Sequence, residues 1–229
     1  MTLDYTEIRR LLAAARLAPS LDRVFGAATH GFRLHPPCSE AEIEAVEARA
    51  GIRLPEDYRR FLLGAGNGGA GPGYGMMTLQ RSLTYVAVEA DLTRPFSHRK
   101  AWNLEGGTPA AASYGDPRHV TGSIEVADYG CGIEARLVVC GPERGRMWID
   151  DRTNDGGIYP FTLRSCAHLH DLQAPPTDDH RHLTFLEWYA DWLCCSLATL
   201  GMINCRHRPA QELQADDHTA APRSRPPHT

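Results

Sequence analysis

The hydrophobic period of this chain changes once, near Met76, and that change limits the folds open to it. Before it, apolar residues recur at helical spacing; after it, short β-rich runs alternate with glycines and Asx residues. Asp4 and Glu7 bracket the start of a first helix, whose Tyr5, Ile8, Leu11, Leu12 and Ala15 share one face and which stops before Pro19. In "PPCSEAEIEAVEARAG", Ser39 and Glu42 form a capping box, Ile43, Val46 and Ala50 make the apolar face, and Gly51 ends the helix. Pro55 suits a first helical turn, Glu56 and Asp57 suit its positive end, and Tyr58, Phe61 and Leu62 point to one side. "GAGNGG" stops that third helix.

Beyond Met76, strands are expected at Leu83 to Val88, Gly122 to Val126, Ile133 to Val139 and Arg146 to Asp150, with "CGPERG" as a hairpin turn between the last two. The long connection from Asp91 to Arg118 has the composition of a functional or mobile loop. A second capping box, Thr184 with Glu187, opens a closing helix that buries Leu186, Tyr189, Leu193, Leu197 and Leu200. Helices, then an antiparallel meander, then a helix describe an α+β fold: N-terminal helices packed on a mainly antiparallel sheet with a C-terminal helix. With 229 residues, 42% of them hydrophobic, one core suffices. The expected division is a helical extension over 1–35, a single domain over 36–205, and a disordered tail over 206–229, where Pro, Arg, His and Asp dominate.

Composition narrows the function classes. Twenty-eight acidic residues against 24 basic ones give a net charge of −4, which disfavours direct nucleic-acid binding. Seven cysteines, an odd number without a C-x-x-C pair, fit reduced thiols in a cytoplasm. Arg9-Arg10 follows Asp4 and Glu7 and precedes an apolar run cut short by Arg16, so it does not resemble an export signal. The longest uncharged apolar run, Trp192 to Cys205, is shorter than the roughly 20 residues a membrane helix needs.

Several motifs invite chemistry and fail on context. Gly66, Gly68 and Gly71 match G-x-G-x-x-G, yet they follow a helix and lead into a strand, the reverse of the nucleotide-binding order. "DDRTNDGG" places Asp155 and Gly156 as in a calcium loop, but Thr153 and Thr162 stand where oxygen-rich ligands belong, so a tight turn is expected. Cys166, His168, His170, His180 and His182 cluster without a four-ligand zinc spacing. The expectation is therefore no catalytic residues, no cofactor and no metal.

Acid placement is the remaining lead. Glu40, Glu42, Glu44 and Glu47 crowd one helix, while further acids stud the meander. A solvated face is the plain reading; its rival is a surface that captures a basic protein. Charge and expected turn exposure single out Glu125, Asp128, Tyr129, Asp150, Asp151 and Asp155 as partner contacts, whereas Trp148 is expected in the core.

Taken in order, Leu54-Pro55 with Tyr58, Phe61-Leu62 and Asn67-Gly68-Gly69, then Gly130-Cys131-Gly132, Leu137 to Gly141, Gly145 and Trp148, resemble the SUKH superfamily. That group contains the yeast cell-wall assembly and killer-toxin-resistance regulator and many bacterial immunity proteins. The resemblance runs from about Pro36 to Phe161. It implies an α+β scaffold in which Asn-Gly-Gly is architectural, and a non-enzymatic, cytoplasmic immunity protein against a toxin domain, commonly a nuclease or deaminase. The yeast relative implies an alternative, an intracellular scaffold for signalling or cell-wall enzymes. The family supplies no catalytic residues, and its partner surface varies among members.

Overall fold

A computed structural model describes residues 4–84, 90–103, 114–162 and 181–203. The N-terminal half is helical: α1 (Tyr5–Ala15), the single turn α2 (Ala27–His30), α3 (Glu40–Ala50), α4 (Glu56–Gly64) and α5 (Leu79–Thr84). Asp4 Oδ1 accepts from the Glu7 amide at 2.7 Å, and the Ser39–Glu42 capping box forms with both of its bonds. Gly51 closes α3 in the left-handed conformation that a residue without Cβ adopts freely.

Four antiparallel strands follow in sequence order: β1 (Ser123–Gly130), β2 (Ile133–Val138), β3 (Met147–Asp151) and β4 (Gly157–Pro160). The strand expected from Leu83 to Val88 is corrected at its start, because Leu83 and Thr84 belong to α5, whose first turn is capped by a side chain described below; 85–88 lie outside the described residues. The fourth strand, absent from the sequence reading, is short and carries a proline at its end.

The glycine segment extends the sheet. Gly69 and Met76 exchange backbone bonds of 2.8 and 2.7 Å, the Met77 amide donates to Val126 at 2.8 Å, and the Ala70 amide donates to Arg33 at 2.7 Å. Isolated bridges thus run from Leu34 to Gly69, from Gly69 to Met76 and from Met76 to Ala127 on β1. On the far side, Trp102 exchanges two 2.8 Å bonds with Ile158 of β4. Unpaired edges invite foreign strands, and here short bridges cover both sides. Gly69 has φ +94°, and a Cβ there would run into the Arg33 carbonyl oxygen, so neither the turn nor the close approach admits another residue.

Asn67 explains why this stretch has a fixed shape. Its Oδ1 accepts from the Leu79 amide at 2.7 Å at the start of α5, and its Nδ2 donates to Gln80 at 3.0 Å. The amides of Gly66, Asn67, Gly69 and Ala70 all donate to carbonyls of the chain, so these four serve the fold.

The closing helix α6 (Phe185–Thr199) is capped by the Thr184–Glu187 box. It packs on α4 through Phe185 and Tyr189, whose rings lie 5.2 and 4.7 Å from Phe61, while Tyr58 meets Phe185 at 4.7 Å. Its buried face is rotated from the expected one: Phe185, Trp188, Tyr189, Leu193 and Leu197 are buried, and Leu186 and Leu200 are half-buried. Aromatic bulk decides this, since the large rings remove the most apolar surface from water. Residues 1–35, expected as an extension, contribute Ile8, Leu12, Ala15, Val24, Ala27 and Phe32 to the same core as α4, α6 and the sheet.

Candidate partner-binding surface

Strand alternation assigns every candidate to one of two faces. Ile124, Ala127, Ala135, Leu137, Met147, Ile149 and Tyr159 face the helices. A bulge between Glu125 and Ala127 lets Val126 join them. Trp148, Val138 and Ile158 face the other way, where Phe96, Val120 and half-buried Trp102 make a second cluster. Trp148 is fully buried there. Phe96 and Trp102 of the long connection, with Val120 just after it, therefore cover the sheet's outer face, where His119 stacks on Trp102 at 4.2 Å and His98 lies tilted against it at 5.2 Å.

Cross-strand register sets Glu125 against Arg136 and aligns Asp128, Glu134 and Asp150 in one row. Like charges side by side on a sheet repel, and two arginines relieve the repulsion. Arg136 pairs with Glu134 and donates to Ser123 Oγ at 3.0 Å. Arg152 makes two 2.7 Å bonds to Asp150 and donates to the carbonyls of Tyr114 and Asp116 at 2.8 and 2.9 Å, tying the connection to the sheet.

These contacts divide the six expected partner residues. Glu125, Asp150 and Asp151 are buried, which corrects the exposure expected for them. Asp150 is consumed by Arg152, and Asp151 accepts from Asn154 at 2.7 Å inside the turn that follows β3. Burial pushes the Asp151 carboxyl above its ordinary value. Burial, reinforced by Glu134, also raises Glu125 to about 7, so near neutrality this group is not a fixed charge. Tyr129 is half-buried toward the helices, where its hydroxyl accepts from Trp188 Nε1 at 3.3 Å. Asp128 and Asp155 are exposed, as expected.

The remaining sequence motifs fall into place around them. Leu54, Tyr58 and Phe61 are core residues, and Pro55 precedes α4. Asn67, Gly68 and Gly69 hold the sheet extension. Of the acidic helix, Glu42 serves the capping box, Glu40 pairs with Arg59, and buried Glu47 accepts from the Leu54 amide at 2.8 Å. Cys166, His168, His170 and His180 lie outside the described residues, as does the expected tail over 206–229. His182 is bonded to Glu143 at 2.5 Å. Among the described residues, no group of His, Cys, Asp and Glu is arranged to hold a metal, and no helix is long and apolar enough to cross a membrane.

Sequence reasoning missed Phe25 and Tyr74, whose exposed rings touch at a centroid distance of 5.1 Å. An aromatic set between Gly73 and Gly75 was the available signal, because a ring flanked by turn residues has little chain around it to bury it.

Helices on the inner face, a loop cover on the outer face and an exposed acidic and aromatic end complete an α+β fold. Residues 37–161, just over half of the chain, match the SMI1 / KNR4 family (SUKH-1), and the chain belongs to that family. No curated protein and no solved structure matches the chain.

Proposed function

We propose that this SUKH-domain protein is a non-enzymatic immunity protein that acts in the cytoplasm by binding and blocking a cognate toxin domain. Membership of the SMI1 / KNR4 family carries the reading. The acidic balance of the chain supports it physically. A toxin that acts on nucleic acid, a nuclease or a deaminase, holds phosphates and so presents a basic cleft. An acidic protein meets such a cleft quickly, because opposite fields steer encounter and suppress wrong partners. Asp128 and Asp155, exposed on strand end and turn, are the acids of the original set best placed to contribute.

Co-expression with the product of an adjacent toxin gene tests the proposal. Survival of the cells and copurification of the two chains are expected. Continued killing, with no copurified complex, rejects it.

A further inference from the structure

One end of the sheet gathers a set of exposed side chains. The β1–β2 hairpin turns through Cys131 and Gly132, and the turn after β3 lies against it, with Asn154 Nδ2 donating to the Cys131 carbonyl at 2.9 Å. Asp128, Cys131, Thr153, Asn154 and Asp155 are all exposed at this end. Tyr74 joins them from the glycine segment: its amide donates to the Asp128 carbonyl at 2.8 Å, and a Cβ on Gly130 would meet its ring at 2.8 Å. Phe25 completes the group against Tyr74, held there because Gly26 lies directly on the Gly73 carbonyl, where a Cβ could not fit.

The rings are costly where they are. Phe25 is 48% exposed and Tyr74 46%, together the largest exposed aromatic surface among the described residues. Both are mounted on backbone fixed by close glycine contacts and by a sheet bond, so little conformational entropy remains to be lost when something docks. Rigid aromatics ringed by polar groups are the usual energetic centre of a protein interface. Two exposed acids stand beside them, Asp128 on β1 and Asp155 in the adjoining turn, while Glu134, across the strand from Asp128, is paired with Arg136.

We propose that this end of the sheet, with Phe25 and Tyr74 as anchors and Asp128 and Asp155 as rim, is the docking surface for a basic polypeptide segment that alternates cationic and apolar side chains. The choice of a basic occupant rests on charge complementarity and agrees with the immunity reading. Apolar side chains of the segment cover the two rings, and its guanidinium or ammonium groups meet the carboxylates.

The test uses the full chain, labelled with nitrogen-15, and a decapeptide of alternating arginine and leucine at low salt. Saturable binding is expected, with amide shifts confined to the neighbourhoods of Phe25, Tyr74, Asp128 to Gly132 and Thr153 to Asp155. Phe25→Ser and Tyr74→Ser each weaken binding by about tenfold. Asp128→Asn and Asp155→Asn, which keep the local hydrogen-bonding shape, weaken it by about threefold and flatten its salt dependence. Glu44→Lys on α3 serves as a distant charge control and leaves the map of shifts in place. No binding, shifts centred elsewhere, undiminished binding by both serine variants, or self-association of the chain through these rings overturns the proposal. Toxin capture separates the two readings. A toxin held equally well by Tyr74→Ser leaves the immunity role standing and removes this surface, whereas peptide binding here without any toxin captured does the reverse.

Discussion

Replacing Glu125 by glutamine isolates the energetic effect of one buried carboxyl. The folded protein holds the Glu125 proton up to about pH 7, against an ordinary value of 4.5, because burial and the neighbouring Glu134 disfavour the anion. A folded-state value above the unfolded one gives stability that is complete below pH 4.5 and is lost as pH rises through 7. The full difference corresponds to about 3.4 kcal/mol, and solvent screening of the neighbouring acids reduces it to about 2 kcal/mol. Glu125→Gln keeps the shape and has no charge to desolvate. Urea unfolding at pH 4 and pH 8, extrapolated to water, is the assay. The variant is expected to match the wild type at pH 4 within about 0.5 kcal/mol and to exceed it by about 2 kcal/mol at pH 8. An equal difference at the two pH values, or a variant less stable at pH 8, refutes the argument that this carboxyl is held unfavourably in the sheet.

Other expectations follow from single contacts. His30 and His98 are both lowered to about 4, His30 by burial and His98 by burial with His119 adding to it. Their stabilising effect is present above pH 6.5 and is lost as pH falls through 4, by about 2 kcal/mol for each ring after screening; chemical unfolding of His98→Phe shows a shallower acid slope. Gly69→Ala places a Cβ against the Arg33 carbonyl at positive φ and costs about 3 kcal/mol or more, read as a lower urea midpoint. Asn67→Ala removes the bond to the Leu79 amide and costs about 1–2 kcal/mol, with faster hydrogen exchange at the start of α5.

Local signals carried much of the fold. Capping boxes at Ser39 and Thr184 mark helix starts because the bonds they make lie within four residues, and the structure forms both. Three of the four strands were legible from alternation, whereas β4 is too short to show a period and depends on β3 for its register. Leu83 and Thr84 read as strand because of the β-rich residues after them, but Asn67, twelve residues before Leu79, supplies a cap that makes the stretch helical. The acids were misread for a related reason. Burial of Glu125 and Asp150 follows from a loop folding over the outer face, and the arginines that neutralise Glu134 and Asp150 are recognisable only once cross-strand neighbours are known.

The short bridges at Met76 and Trp102 bear on how such a scaffold diversifies. Main-chain groups along β1 and β4 are already engaged at these points, so a visitor gains little by adding itself as another strand. In the docking proposed above, discrimination falls to side chains displayed at the sheet's end, which can be exchanged one at a time without disturbing register. A fold organised in this manner can switch allegiance by point substitution while its interior stays unchanged.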